Sequence, residues 1–447
     1  MGLGAPRGPE GRLGPLGFSL VMFSMASCLP LFFLGPIAYR SGLTLGQALA
    51  AALIGNLVVA AAMALNGHAG VAEGIGFQEQ ARRVYGVTAG RAAVALRGLV
   101  GALWFGVEAY NGALALVMIA LMAVGHSGEG LVAEASHLVP AALALYLALM
   151  LVVMRGGMEA VGRAATLAGP LMMLYFAWLA LWLHGCGAPA AAPRGVPWAS
   201  AAFLAYLAIQ TNWWATVAVN MSDLSRVARS WGAVWAGVLA GMVGGQALGT
   251  YLGYVLAAET GKALPQEIIA AYAPGALAVS LGLIFSFLAP WTTDITANVP
   301  ALADLVAELS GAPWGRAAAV AVALGFVLAP WWALGSAQDI VGYVAGFAAS
   351  YGVILGPLLG PMIASHWLAG KRLDPQGGGR TSWPAVTGFL AGVALSYAAS
   401  PLLGGLARAR IGPLAIPFPA GPAWYVGTAA SLAVYLAVER ASGRRGS

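Results

Sequence analysis

Charge is what this sequence has least of. Asp, Glu, Lys and Arg make up 9% of its 447 residues, against about 25% in an ordinary soluble domain, so a water-facing globular surface cannot be built from it. Cysteine is nearly absent too. Cys28 falls inside one apolar run and Cys186 at the end of another, which argues against a disulfide framework. The five histidines, at 68, 126, 137, 184 and 366, show no metal-ligand spacing, and no nucleophile, base and orienting acid stand together. An enzyme is therefore not expected, nor any cofactor. What fills the chain is apolar: 60% of its residues are hydrophobic.

Runs of roughly 20 apolar residues, the length that crosses a hydrocarbon core about 30 Å thick, recur about twelve times. They fall at 15–37, 44–66, 93–123, 137–155, 163–184, 199–221, 231–258, 275–306, 316–335, 339–366, 383–404 and 420–439. Membrane-barrel strands need only about 10 residues and alternate in polarity, so the expected fold class is all-α, an integral membrane helical bundle. A polar arm, 1–14, leads into a first run longer than a signal-peptide core and without a clear small-residue cleavage site, which reads as an anchor. With twelve alternating spans, 17 of the 22 Lys and Arg residues lie on the side that carries both termini. Positive residues concentrate on the cytoplasmic side, so both termini are expected there and the protein in the cell membrane. The formal charge of +6 and the pI near 9.4 then report topology, not nucleic-acid binding.

Two spans are interrupted near their middles, the first at "SMASCLP" (24–30) and the sixth at "TNWWATVAVN" (211–220). These are matching positions of two five-span units, 15–190 and 195–370. Broken helices at corresponding positions of inverted repeats point to a substrate site at the midplane. Spans eleven and twelve, 383–440, would be additions outside that core, followed by a tail at 441–447.

Three polar clusters stand inside the apolar runs. "LWFGVEAYNGALAL" places Glu108 one helical turn after Trp104, on the same face. A lone charge at the bilayer centre costs at least about 2.5–3.5 kcal/mol on insertion scales, so such residues usually serve a function; the competing reading is a structural acid bonded to a neighbouring helix. An indole beside a hydrogen-bonding group suits a flat heterocyclic ligand. "LAPWTTDITANVPALADL" in span eight carries Thr292, Thr293, Asp294, Thr296 and Asn298 next to Pro290. Hydroxyls and a loosened backbone carbonyl can surround a hard cation, although threonines also bond back to their own helix. In span six, Trp213 and Trp214 sit beside the expected break, while Asp223 and Arg226 read as a structural ion pair. The stretch "NGHAGVAEGIGFQEQARRVYG" has no strand before it and reads as a tight cytoplasmic connection, not a phosphate cradle.

Taken in order, "LNGHAG", "ARRVYGVTAG", "WFGVEAYNG", "WWATVAVNMSDLSRVARS", "TTDITANVPALADL" and "LGPLLGPMIASHWL" resemble the nucleobase:cation symporter family of hydantoin, cytosine, uracil and allantoin permeases. The resemblance spans runs one to ten. It implies the five-plus-five inverted-repeat, leucine-transporter-like fold with two extra C-terminal helices. It implies a flat substrate stacked between Trp104 and Trp214, with Glu108 and Asn298 on the ring's amide edge and with Cys28 and Trp213 completing the substrate-binding set. It further implies sodium held by carbonyls of Ser24, Ser27 and Ala289 and by the hydroxyls of Thr292 and Thr293.

Three departures from the family pattern matter. Glu108 replaces a Gln, exchanging a donor-and-acceptor group for an acceptor when ionised, which favours a ligand with two donors or a positive charge. Asp294 stands where Asn is common, beside the inferred cation ligands, so it becomes a candidate for proton or cation coupling. "SHW" replaces Asp-Tyr-Trp at the end of span ten, a change at the cytoplasmic surface. The expected function is a secondary-active importer of a planar nitrogen heterocycle coupled to sodium or protons. A permease for hydroxymethylpyrimidine or a thiamine-related amine is the alternative. An amino-acid transporter of the same fold and a non-transporting receptor are weaker ones. No protein partner is expected.

Overall fold

The computed structural model describes residues 12–156, 158–185, 192–368, 381–411 and 414–443. Most of the 1–14 arm, residues 444–447 of the tail and Cys186 lie outside them. The helices group into the twelve expected segments. Span one is Pro15–Ala26 followed, after a break, by Leu29–Phe33 and Leu34–Arg40; span two is Leu45–Glu73, span three Val87–Ala123, span four Leu131–Gly156 and span five Met158–His184. Span six is divided into Ala201–Asn212, Ala215–Val219 and Met221–Ser225. Span seven runs over Trp231–Thr260 and span eight over Gly275–Ser310, each with an internal π turn. Span nine is Trp314–Leu328, span ten Asp339–Ser350 plus Gly352–Trp367, span eleven Trp383–Ala398 and span twelve Ala423–Gly443. Among the described residues, eight helices are by themselves long and apolar enough to cross a membrane, and bent span one makes nine.

The two interruptions fall inside the windows read from the sequence. In span one, Ser27 closes the inner half: its N–H reaches the Phe23 and Ser24 carbonyls and its hydroxyl donates to Phe23 O at 2.8 Å. Cys28 is then extended and Pro30 brings no N–H to continue the ladder. The two halves bend by 65°. In span six the chain leaves the helix at Trp213–Trp214 and again at Asn220. The carbonyls freed there are satisfied from outside: Asn66 Nδ2 donates to both Ala218 O and Val219 O at 2.8 Å, and Gln80 Nε2 holds Asn66 Oδ1 at 2.8 Å. A buried unpaired carbonyl would cost about 1–3 kcal/mol, so Asn66 is part of what lets the break exist.

Span one lies against span seven on a stripe of glycines four apart. At Gly237, Gly241, Gly245, Gly249 and Gly253 a Cβ would come within 2.2–2.8 Å of Phe18, Ser19, Ala26, Leu31 and Phe32 respectively. Small residues at this spacing are how membrane helices approach at backbone distance. Both halves of span one therefore ride on one helix.

Two expectations are corrected, and one connection is added. The 67–73 stretch is not a loop: span two continues as helix to Glu73, because Gly67 and Gly70 pack against Met221, Ser222 and Ser225 of span six, and it ends at Gly74 with φ 69°. Asp223 and Arg226 do not pair through their charges. Asp223 instead caps the connecting helix Phe77–Tyr85 by accepting from Phe77 N–H at 2.8 Å, and Arg226 donates to the Asp223 main-chain carbonyl at 3.2 Å. Finally, an antiparallel hairpin, Leu406–Ile411 with Leu414–Pro419, joins spans eleven and twelve. It packs against the first half of span ten.

Candidate functional site

Span eight is the second element of the site. Pro290 lies inside its helix and leaves the Ser286 carbonyl without its ladder donor; one turn on, the chain widens into a π turn over Asp294–Asn298. Such widened turns occur often at functional sites. The Thr292 hydroxyl donates back to the Leu288 and Ala289 carbonyls at 2.9 and 3.1 Å, which leaves its oxygen lone pairs available.

Between the inner half of span one, span five and span eight lies a cavity of about 50 Å³, larger than the roughly 10–15 Å³ that admits one water. Ser24, Met25, Ser27, Gly169, Ala289, Thr292, Thr293, Thr296 and Ala297 line it. All five residues inferred for the cation meet in this one space. None of its lining residues is acidic, so what it can present to an ion is carbonyl and hydroxyl oxygen, the donor set of a hard monovalent cation.

On the other side of the span-one break, the buried Cys28 side chain lies beside Glu108. Glu108 is 2% exposed, and its Oε2 is buried with no hydrogen-bond partner among the described residues. A buried polar oxygen left without a partner is costly. One turn away, the Trp104 ring meets Trp213 edge-on, centroids 4.8 Å apart, and Phe347 at 5.3 Å; its Nε1 donates to the Tyr351 hydroxyl at 3.3 Å. Phe347 and Tyr351 come from the break in span ten and were not read from the sequence.

Trp214 is placed differently from Trp213. Its indole N–H donates to Gln246 Oε1 at 2.8 Å, Gln246 donates to Gln210, and Gln210 to Tyr206 and Thr250. The ring contact with Trp104 thus comes from Trp213, while Trp214 is anchored to span seven. Asp294 does not line the cavity. It is wholly buried, accepting from Tyr146 of span four at 2.9 Å and from Asn298 at 2.9 Å.

The fold and site define a multi-pass membrane transport protein with discontinuous helices at its midplane. Residues 12–401 match the model of the family described as permease for cytosine/purines, uracil, thiamine and allantoin, and the chain belongs to that family. A purine-uracil permease, NCS1, of Arabidopsis thaliana is 26% identical over 348 residues, which is 73% of this chain and 57% of that protein's length. Among solved structures, the inward-facing conformation of Mhp1 superposes with a TM-score of 0.77 at 18% identity, covering 99% of this chain and 94% of that one. Mhp1 in a closed conformation with bromovinylhydantoin bound, described as a nucleobase-cation-symport-1 transporter, gives 0.75 at 20% identity and covers 99% and 95%. A substrate-bound, outward-open sodium-coupled sialic acid symporter is more distant, with a TM-score of 0.57, 12% identity and coverage of 95% and 89%. The leucine-transporter-like fold expected from the sequence is the fold of this chain.

Proposed function

We propose that the protein is a cation-coupled importer of a planar nitrogen heterocycle, working by alternating access in the cell membrane with both termini in the cytoplasm. The observation that carries the reading is that one helix break serves two sites. Ser24 and Ser27 line the oxygen-lined cavity, and Cys28, the next residue, lies beside Glu108, one turn from Trp104. An ion in the cavity would hold the inner half of span one, and with it the position of Cys28 and Glu108. A ring on the Trp104 and Trp213 face would be received by Glu108. Ion and ring would then favour the same arrangement of span one, and each would raise the other's affinity by the same factor.

Sodium is the favoured coupling ion, because the cavity offers neutral oxygens while both oxygens of Asp294 are already bonded outside it. Proton coupling through Asp294 is the second reading. The substrate sits between the Trp104 and span-six indoles, with Glu108 and Asn298 on its polar edge. Glu108 Oε2 has no partner among the described residues; as a carboxylate it would accept, which favours an amino-bearing ring, hydroxymethylpyrimidine or a thiamine-related amine included, over one presenting only carbonyls.

The test is a ligand panel on the purified full chain: uracil, cytosine, hydantoin, allantoin, adenine and hydroxymethylpyrimidine, each in sodium and in potassium, followed by uptake into vesicles under a sodium or a proton gradient. The expected result is stabilisation by at least one heterocycle that grows with sodium, changes identity in Glu108→Gln, and is matched by sodium-driven uptake. A well-folded protein that no heterocycle stabilises in either salt would overturn the substrate class.

A further inference from the structure

Asp294 and Asn298 stand at the two ends of the π turn in span eight, and their side chains are tied across it. Asn298 Nδ2 donates to Asp294 Oδ1 at 2.9 Å. The other oxygen, Oδ2, is 2.9 Å from the Tyr146 hydroxyl. Tyr146 has no room to leave: it is fully buried, its ring meets Phe287 edge-on at 5.8 Å, and it fills the space over Gly112, where a Cβ would lie 2.3 Å from the ring. With Asp294 ionised and Tyr146 donating to Oδ2, Oδ1 is an acceptor. An acceptor at that point selects one of the two orientations of the Asn298 amide, the one that turns Nδ2 toward it. One of the two Nδ2 protons is thereby used, and no hydrogen bond to Asn298 Oδ1 is found among the described residues.

We propose that Asp294, held by Tyr146, is a positioning residue that locks the Asn298 amide so that it presents its carbonyl oxygen, and not its amino group, to the ligand. This rests on the heterocycle reading above, in which Asn298 faces the ring. With the unpartnered Glu108 Oε2, the pocket then offers acceptors from span three and from span eight. It selects rings whose facing edge carries N–H donors, amino-substituted or protonated, and rejects those that place a carbonyl there. An Asn at 294 would remove this control, since an amide can turn either its oxygen or its nitrogen toward Asn298.

The experiment measures dissociation constants of two matched pairs, cytosine against uracil and adenine against hypoxanthine, on the purified full chain in saturating sodium. Each pair differs by an exocyclic amino group in place of a carbonyl, the adjoining ring nitrogen being bare in the amino member and protonated in the other, so the ratio reads the exocyclic position against the ring nitrogen. Wild type is expected to bind the amino member about tenfold or more tighter, the usual consequence of leaving a buried polar group unpaired. Asp294→Asn is expected to lower that ratio about tenfold. A purely structural role for Asp294 would weaken both members alike and leave the ratio unmoved. Tyr146→Phe, a milder change that loosens Asp294 without removing it, is expected to move the ratio in the same direction. An unchanged ratio in either folded variant, or a wild type that prefers the carbonyl member, overturns the proposal while leaving the heterocycle reading standing. A folded wild type that binds none of the four ligands overturns both.

Discussion

Replacing Gly169 by Ala should weaken sodium binding without removing the heterocycle site. Gly169 of span five faces the inner half of span one, and a Cβ there would lie 2.8 Å from Ser27 Cβ and Ser27 O and 2.9 Å from Ser24 O. Ordinary contact begins near 3.4 Å, so these groups must retreat by about 0.5–0.6 Å, beyond the roughly 0.2 Å within which ligand distances of a metal site must fall. The neighbours are two main-chain oxygens and Ser27 Cβ, none of them the flexible end of a side chain. Overpacking of this kind costs about 1–3 kcal/mol, enough to lower Tm without unfolding the bundle. If half or more of that strain is relieved by losing the ion geometry, sodium affinity falls about tenfold, on the order of 1.4 kcal/mol. The assay is thermal stabilisation titrated with sodium chloride at constant ionic strength, alongside the ligand dissociation constant at saturating sodium. Gly315→Ala, where a Cβ meets nothing within 4 Å, is the control. A folded Gly169→Ala protein with the wild-type sodium midpoint would refute the assignment of the Ser24 and Ser27 carbonyls to the ion.

Three further outcomes follow from the same geometry. Thr292→Val, nearly equal in shape, should also raise the sodium midpoint about tenfold while leaving Tm in potassium almost unchanged, because it removes an oxygen from the cavity wall and no packing volume. Trp104→Ala should weaken heterocycle binding roughly 5- to 150-fold, corresponding to about 1–3 kcal/mol of ring stacking; ligand affinity equal to wild type would remove Trp104 from the site. Asn66→Ala should lower Tm by stranding the Ala218 and Val219 carbonyls, at about 1–3 kcal/mol each, and should leave the ratio of affinities among heterocycles unchanged.

The membrane class, the twelve apolar spans and the two helix breaks were legible in the chain itself. Span length is set by bilayer thickness and charge is excluded from it, so composition reports both directly. The breaks were legible because proline and clustered polar side chains disrupt a helix locally, as Pro30 does after Cys28. The glycine stripe of span seven is visible in the letters too, at every fourth position from Gly237 to Gly253, yet a stripe of small residues does not name its partner helix.

Contacts across the bundle belonged to the tertiary structure alone. Tyr146 reads as one more aromatic in an apolar run until packing brings it to Asp294, 148 positions along the chain. Gly169 has no signal beyond its smallness, and Phe347 and Tyr351 reach Trp104 only because span ten packs beside it. The same holds for the indoles of span six: adjacent in sequence and alike in chemistry, they part because one finds Trp104 and the other finds Gln246. A local pattern determines which residues are buried and where a helix must stop. Which buried group meets which depends on how separate helices pack, and that is where the oxygen-lined cavity, the unpartnered Glu108 oxygen and the Asp294–Asn298 bond arise.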